Sequence, residues 1–385
     1  MTLSARALME RLVSFPTVSS DSNLELIEFV EGYLSSIGVD SHRVPNADGT
    51  KAAIYAHVGP QVDGGIVLSG HTDVVPVEGQ NWDSDPFTVT ERHGNLYGRG
   101  TCDMKGFDAL ALWAVTLASQ KELKRPLQIA LSYDEEIGCT GAPPMIEHMI
   151  SNGMPRADTV IVGEPSMMKV VTGHKGGIGY HMHFHGFEVH SSLLHTGVSA
   201  IMMAAKLIDW ANQVNAENAA TPVISINADF VPPYTTLHVG MINGGTAHNI
   251  TAKDCTFDVT FRVVPGESIT LWRARFLQKV ADLQAEMKKI HPDAGITAEQ
   301  FFVLPGLAPE ADGSAEAVAR QLTGANDSDV VSYGTEAGHF QARGYSAVVC
   351  GPGNIAQAHQ PNEYISIEQF QQGEAFMAAL IERLS

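Results

Sequence analysis

Gly65–Asp73 reads GIVLSGHTD, and this stretch decides the fold. An apolar run between glycines has the length of a buried strand, and it ends on His71, Thr72 and Asp73. The figure recurs twice. LQIALSY (Leu127–Tyr133) runs into Asp134, Glu135 and Glu136, and DTVIVG (Asp158–Gly163) runs into Glu164 and Pro165. A further apolar run, SAVVCG, leads into a Gly/Pro-rich loop, GPGNIAQAHQP, that carries His359. Helical signals lie between these runs. Leu24, Ile27, Val30, Leu34 and Ile37 keep a helical period that Gly38 stops, and Met104 to Leu117 is apolar at helical spacing. Strands alternating with helices predict an α/β domain with a central sheet flanked by helices.

The pattern changes near residue 174. GGIGYHMHFHG reads as a strand and Thr196 to Val214 as a helix with Val198, Ile201, Ala205 and Ile208 on its apolar face. TTLHVGMI and KDCTFDVTFRVV read as strands. Glu267 to Ile290 reads as a helix carrying Trp272, Phe276, Val280, Leu283 and Met287, and ITAEQFFVL as a last strand. The order β-α-β-β-α-β is that of a ferredoxin-like unit. After Pro305 the first pattern returns. The expectation is therefore a domain formed by residues 1–174 and 305–385, with a second domain, 175–304, inserted into it.

A chain of 385 residues with 44% hydrophobic content and a net charge of −19 can bury two cores and disfavours nucleic acid and anionic membrane as partners. No apolar run is long enough to cross a bilayer. The start, MTLSARALMERLVSF, reads as an amphipathic helix and not as a secretion signal. Four cysteines (Cys102, Cys139, Cys255, Cys350) show no CxxC spacing and fit free thiols in a reducing cytoplasm.

Taken singly, the polar stations are ambiguous. His71 is a turn residue or a metal ligand, with Asp73 two residues on to orient its ring. Asp103, in GRGTCDMKG, is a helix N-cap or a carboxylate whose two oxygens bridge two cations. Glu135 and Glu136 are a solvated acidic pair, or one metal ligand beside one free general base; following a buried strand, two bare charges are poorly placed. Glu164 and His359 are loop residues or ligands. Taken together, His71, Asp103, Glu136, Glu164 and His359 supply two imidazoles and three carboxylates. With Asp103 shared, each of two ions gains three protein ligands. Such donors suit zinc, and cobalt or manganese can substitute. Ligands in open α/β sheets bind at the carboxyl ends of the strands, where these residues fall.

SGHTDVVP, YGRGTCDMKG, DEEIGCTGA and VGEPS together resemble the co-catalytic zinc amidohydrolases and exopeptidases, over essentially the whole chain. The resemblance implies His71, Asp103 and Glu164 on one zinc and Asp103, Glu136 and His359 on the other. It also implies Glu135 as general base, a cis peptide after Asp103, and a homodimer formed through the inserted domain. His190, in GFEVHSSLLHTG, is similar to a histidine of that domain which reaches the partner's site and stabilises the oxyanion; Val189 stands where the family usually has glycine. Asn249 in GGTAHN matches a position that contacts substrate across the dimer. Arg262 matches a basic residue that holds the substrate α-carboxylate, and is otherwise a surface ion pair. Glu336 in GTEAG is a candidate partner for a substrate amine or simply an acid at a helix start.

NWDSDPF, GRGTCDMKGF, YGTEAGHFQ and CGPGNIAQAHQPNEY resemble most the acetylornithine deacetylase branch. That implies hydrolysis of N-acetyl-L-ornithine, a step of arginine biosynthesis. Desuccinylase, aminoacylase and dipeptidase activities are the rivals within the family, and an inactive ligand-binding relative is the rival outside it. The complete ligand set and Glu135 speak against the latter. His181, His183 and His185 alternate on one strand and share a face: either an accessory metal site or an exposed sheet face.

Overall fold

The computed structural model describes residues 2–385, which form two compact units. Of these residues, the first unit comprises 2–173, Pro309–Val330 and Thr335–Ser385; the second comprises His174–Ala308 and Val331–Gly334.

The first unit opens with helices α1 (Ala5–Val13) and α2 (Leu24–Ser36) and strands β1 (Ser41–Pro45), β2 (Ala52–Val58) and β3 (Ile66–His71). Short strands β4 (Thr90–Arg92) and β5 (Asn95–Tyr97) precede helix α3 (Lys105–Ala118). Strand β6 (Leu127–Ser132), helix α4 (Ala142–Ser151), β7 (Thr159–Pro165) and β8 (Val171–His174) follow. The second unit is β9 (Gly176–His185), α5 (Ala200–Ala220), β10 (Thr236–Gly244), β11 (Asp254–Val263), α6 (Ile269–Ile290) and β12 (Gly295–Leu304). The chain then returns to the first unit through α7 (Ser314–Thr323), β13 (Asp329–Val331), α8 (Ala337–Ala342), β14 (Ala347–Gly351), β15 (Tyr364–Ser366) and α9 (Ile367–Leu384).

The first unit holds an eight-stranded sheet in the order β1-β2-β6-β3-β7-β14-β8-β13. Strands β6, β3, β7 and β14 run parallel. Their side chains are buried on both faces, as the near-continuous apolar runs require. The parallel pairing brings the carboxyl ends of four strands to one rim, although the strands lie far apart in the sequence. Helix α3 approaches this sheet closely. A Cβ built on Gly163 in β7 would stand 2.0 Å from the ring of Phe107 in α3. The contact lies one residue before Glu164 and four after Asp103. Gly163→Ala is therefore expected to destabilise the fold by overpacking, about 1–3 kcal/mol, measurable as a lowered urea midpoint with unchanged m-value.

The second unit has one antiparallel sheet in the order β10-β11-β9-β12 with α5 and α6 packed on one face, the ferredoxin-like arrangement. Ile178, Tyr180, Met182 and Phe184 of β9 and the α6 stripe Trp272, Phe276, Val280, Leu283 and Met287 build its core. The α5 face differs from the expectation. Met203, Ala204, Leu207, Ala211 and Val214 are buried, while Ile201 and Ala205 are exposed and Ile208 is half-buried. Helix α5 carries two apolar stripes, so periodicity alone did not identify which one meets the sheet.

Candidate metal centre

The rim of the parallel strands gathers the polar stations of the first unit. His71 is the last residue of β3, Glu164 lies near the end of β7, Glu135 and Glu136 follow β6, and His359 lies in the loop after β14. Asp103 precedes α3, whose N-cap is Met104 with no side-chain cap bond. The N-cap reading of Asp103 is thereby replaced: its carboxylate bonds imidazoles. The Asp103–Met104 peptide is cis.

Asp103 joins the cluster through both oxygens. Oδ1 lies 3.2 Å from Nε2 of His71 and Oδ2 3.3 Å from Nε2 of His359. His71 Nε2 also stands 3.7 Å from Glu164 Oε1, and His359 Nε2 stands 2.9 Å from Glu136 Oε2. The ligand atoms of His71, Asp103 and Glu136 all lie within 4.8 Å of one another, as do those of His71, Glu135 and Glu164. Distance alone thus leaves Glu135 as near to the cluster as its neighbour.

Asp73 works from behind. Its backbone oxygen lies 2.9 Å from His71 Nδ1, which leaves Nε2 facing the acids. The Asp73 carboxylate accepts the backbone N–H groups of Glu135 (3.1 Å) and Glu136 (3.3 Å) and the hydroxyl of Ser19 (2.6 Å). One carboxylate therefore fixes the β3 end to the loop after β6. Glu135 Oε1 accepts a hydrogen bond from Cys139 Sγ at 3.1 Å.

The electrostatics of the cluster follow from burying many acids together. Burial, and then the charges of Asp103, Glu135 and Glu136, hold the Glu164 carboxyl well above its usual range. Burial pushes Glu135 up to about 8 and raises Glu136. For Asp103, burial is outweighed by bonds from His359 and His71, and its carboxyl is held below the usual range. The bonds from Asp103 and Glu136 raise His359 to about 10. Glu136 Oε1 and Glu164 Oε1 are buried with no hydrogen-bond partner. Orphaned carboxylate oxygens and mutually repelling acids beside two imidazoles are a donor set that divalent cations satisfy. The residues therefore fit such ions.

One supporting residue escaped the sequence reading. Glu363 Oε1 accepts the backbone N–H groups of Gly100, Cys102 and Asp103, each at 3.0 Å, while Oε2 pairs with Arg99. Both side chains are 1% exposed. Burial pushes the Glu363 carboxyl up to about 7 against the pull of Arg99. All its partners are N–H donors, so the pocket suits the ionised form. A buried arginine in YGRGT signals that an acid partner must exist, but not which one. Glu363→Ala leaves three backbone amides without their acceptor and a buried guanidinium without its counter-charge, held only by neutral oxygens such as Gln80 Oε1 at 2.7 Å. It is expected to cost about 3–5 kcal/mol in thermal or denaturant unfolding, and to weaken metal affinity through misplacement of Asp103. Glu363→Gln retains an accepting oxygen and should recover part of both.

Glu336 stands at the N-cap of α8, the acid at a helix start that the sequence offered beside the substrate-amine reading. Its side chain is 1% exposed, and its two oxygens accept the hydroxyls of Ser69 and Ser132 at 2.6 Å. It ties β3 to the end of β6. His190, Asn249 and Arg262 belong to the second unit, where all three are exposed. His190 Nδ1 lies 2.8 Å from Ser192 Oγ, and the Asn249 backbone oxygen accepts from Ser191 N. Cys102 is buried, with Sγ 3.4 Å from the Asn354 carbonyl, and no disulfide forms among the four buried cysteines.

A shared bridging acid, flanking histidines and spare acids at the rim of a parallel sheet define a hydrolase of the metal-dependent class. The chain belongs to peptidase family M20/M25/M40, whose family model matches residues 67–383. It is 33% identical over 390 residues to the acetylornithine deacetylase of Myxococcus xanthus, covering 98% of this chain and 96% of that protein. It is also 33% identical to the acetylornithine deacetylase of Proteus mirabilis, covering 97% and 95%. Among solved structures, an M20 family metallo-carboxypeptidase of Sulfolobus solfataricus superposes with a TM-score of 0.76 at 17% identity, covering 99% of each chain. A Bacillus subtilis protein described as a dinuclear metal binding peptidase of the M20 family gives 0.66 at 14% identity, covering 99% and 97%. Both likenesses establish the shared fold.

Proposed function

We propose that the protein is a zinc-dependent deacetylase that hydrolyses N-acetyl-L-ornithine to L-ornithine and acetate in arginine biosynthesis. The convergence of four ligand-type side chains, His71, Glu136, Glu164 and His359, around Asp103, with Glu135 beside them, carries the hydrolytic part of the reading. The similarity to acetylornithine deacetylases over nearly the full chain supports the substrate.

His71, Asp103 and Glu164 would hold one ion and Asp103, Glu136 and His359 the other. Two such ions, when bound, polarise an amide carbonyl and acidify water. Glu135 acts as the general base, taking a proton from the attacking water and passing it to the departing amine nitrogen. Its raised affinity for a proton suits both halves of that transfer. Asp73 keeps the His71 ring oriented and the Glu135–Glu136 backbone in place. In this reading His190 of a second copy donates to the oxyanion, Arg262 binds the substrate α-carboxylate and Asn249 contacts the substrate.

The second unit serves as lid and dimerisation domain in this reading, and the first as catalytic domain. The proposed homodimer is supported by apolar side chains left exposed along the edge strand β10 and the adjoining face of α5: Met241, Ile242, Ile201 and Met202. The proposed cytoplasmic location is supported by four unpaired cysteines. No helix among the described residues is long and apolar enough to cross a membrane.

The test is release of free ornithine from N-acetyl-L-ornithine by protein loaded with zinc or cobalt. Turnover that a chelator abolishes and added metal restores is the expected result. Metal-loaded protein that leaves N-acetyl-L-ornithine intact yet cleaves succinylated amino acids or dipeptides would replace the substrate and retain the mechanism.

A further inference from the structure

The face of the second unit's sheet that lies opposite α5 and α6 is rich in histidine. Strand alternation turns Tyr180, Met182 and Phe184 into the core and His181, His183 and His185 to this other face. The antiparallel register sets Asp254 of β11 opposite His185 and Asp258 opposite His181. Directly opposed residues have Cβ atoms about 4.5–5.5 Å apart, close enough for their side chains to share a ligand.

Three of these side chains converge on one point. His183 Nε2 lies 2.8 Å from Asp254 Oδ1, and His185 Nδ1 lies 3.8 Å from the same oxygen. The two imidazole rings stand 3.7 Å apart between centroids. One nitrogen from each histidine and the Asp254 oxygen all fall within 4.8 Å of one another. His181 takes no part, since its Nδ1 is engaged by Asp258 Oδ1 at 2.7 Å. An isolated surface His–Asp pair needs one imidazole. Here a second imidazole aims its nitrogen at the same oxygen.

We propose that His183, His185 and Asp254 form a binding site for a divalent transition-metal ion, separate from the acid–histidine centre of the first unit. Two imidazole nitrogens and one carboxylate oxygen are donors that suit zinc, nickel, cobalt or copper and disfavour magnesium and calcium, which take oxygen ligands. The partial exposure of all three side chains leaves the remaining coordination positions to water. An ion here ties β9 to β11, and its binding free energy adds to the stability of this sheet.

Zinc is the probe. Full-length protein is dialysed against buffered micromolar free Zn2+, and bound zinc is counted by elemental analysis for wild type, the double variant His183→Ala/His185→Ala, and Asp254→Asn. The double variant is expected to hold one zinc fewer per chain while hydrolytic turnover is unchanged. Asp254→Asn should weaken the same zinc about tenfold in a competitive-chelator titration. Equal zinc counts in wild type and a folded double variant would overturn the site, leaving a surface ion pair. If the double variant fails to fold, Asp254→Asn decides: wild-type zinc affinity in that variant overturns the proposal. The count does not depend on the substrate, so failure of the deacetylase reading and failure of this site are distinguishable.

Discussion

Glu135→Gln is expected to lower kcat by about 10²- to 10⁴-fold, the range for removal of a general base, with bound metal unchanged. The substitution keeps side-chain length and leaves the backbone N–H of residue 135 bonded to Asp73. It removes the one property the proposed role needs, the capacity to accept and release a proton. The measurement pairs steady-state kinetics with elemental analysis of the same preparation. Loss of metal together with activity would show that Glu135 is a ligand, and the division of labour between Glu135 and Glu136 would be reversed. The geometry makes this test informative, because the Glu135 carboxylate lies as near to His71 and Glu164 as a ligand would.

Asp103→Asn should produce a larger and different loss. Asp103 is the residue that touches both halves of the cluster, through Oδ1 to His71 and Oδ2 to His359. An amide in its place offers one oxygen and one NH2 group, so one half loses its acceptor and meets a donor. Metal content should fall by at least one ion per chain. kcat/KM should fall by about 10³-fold or more, which corresponds to about 4 kcal/mol of transition-state stabilisation. Restoring activity with excess zinc would indicate weakened binding, and full metal content with wild-type rate would exclude the bridging role. Comparing the two variants separates a proton-transfer defect, with metal retained, from a metal-binding defect.

The site was legible in the sequence because its residues sit next to recognisable local structure. HTD ends one strand, DEE follows another and GEP ends a third, so each polar station is announced by the apolar run before it. The ferredoxin-like order was legible for the same reason, and the α6 stripe matches the buried face residue for residue. Positions with no such local marker were harder to read. Glu363 lies in an unremarkable loop, and its importance arises from three backbone amides and an arginine that are remote in sequence. Glu336 does stand at a helix start, but only the fold shows its carboxylate bonded to both Ser69 and Ser132.

By itself the sequence determined the long apolar strands, the strongly periodic helices and the chemical type of each residue at a strand end, because these depend on periodicity and on side chains a few positions apart; short strands such as β1, β8 and β13 carry too few residues to show a period. Only the tertiary structure decided which imidazole meets which carboxylate, which of two apolar faces of α5 is buried, and which acids lie beneath the sheet surface. Those outcomes depend on strand order and parallel register, which bring distant residues within hydrogen-bond reach. Pairing energy falls off steeply over a few ångströms, so the contacts follow spatial proximity, which sequence spacing does not encode.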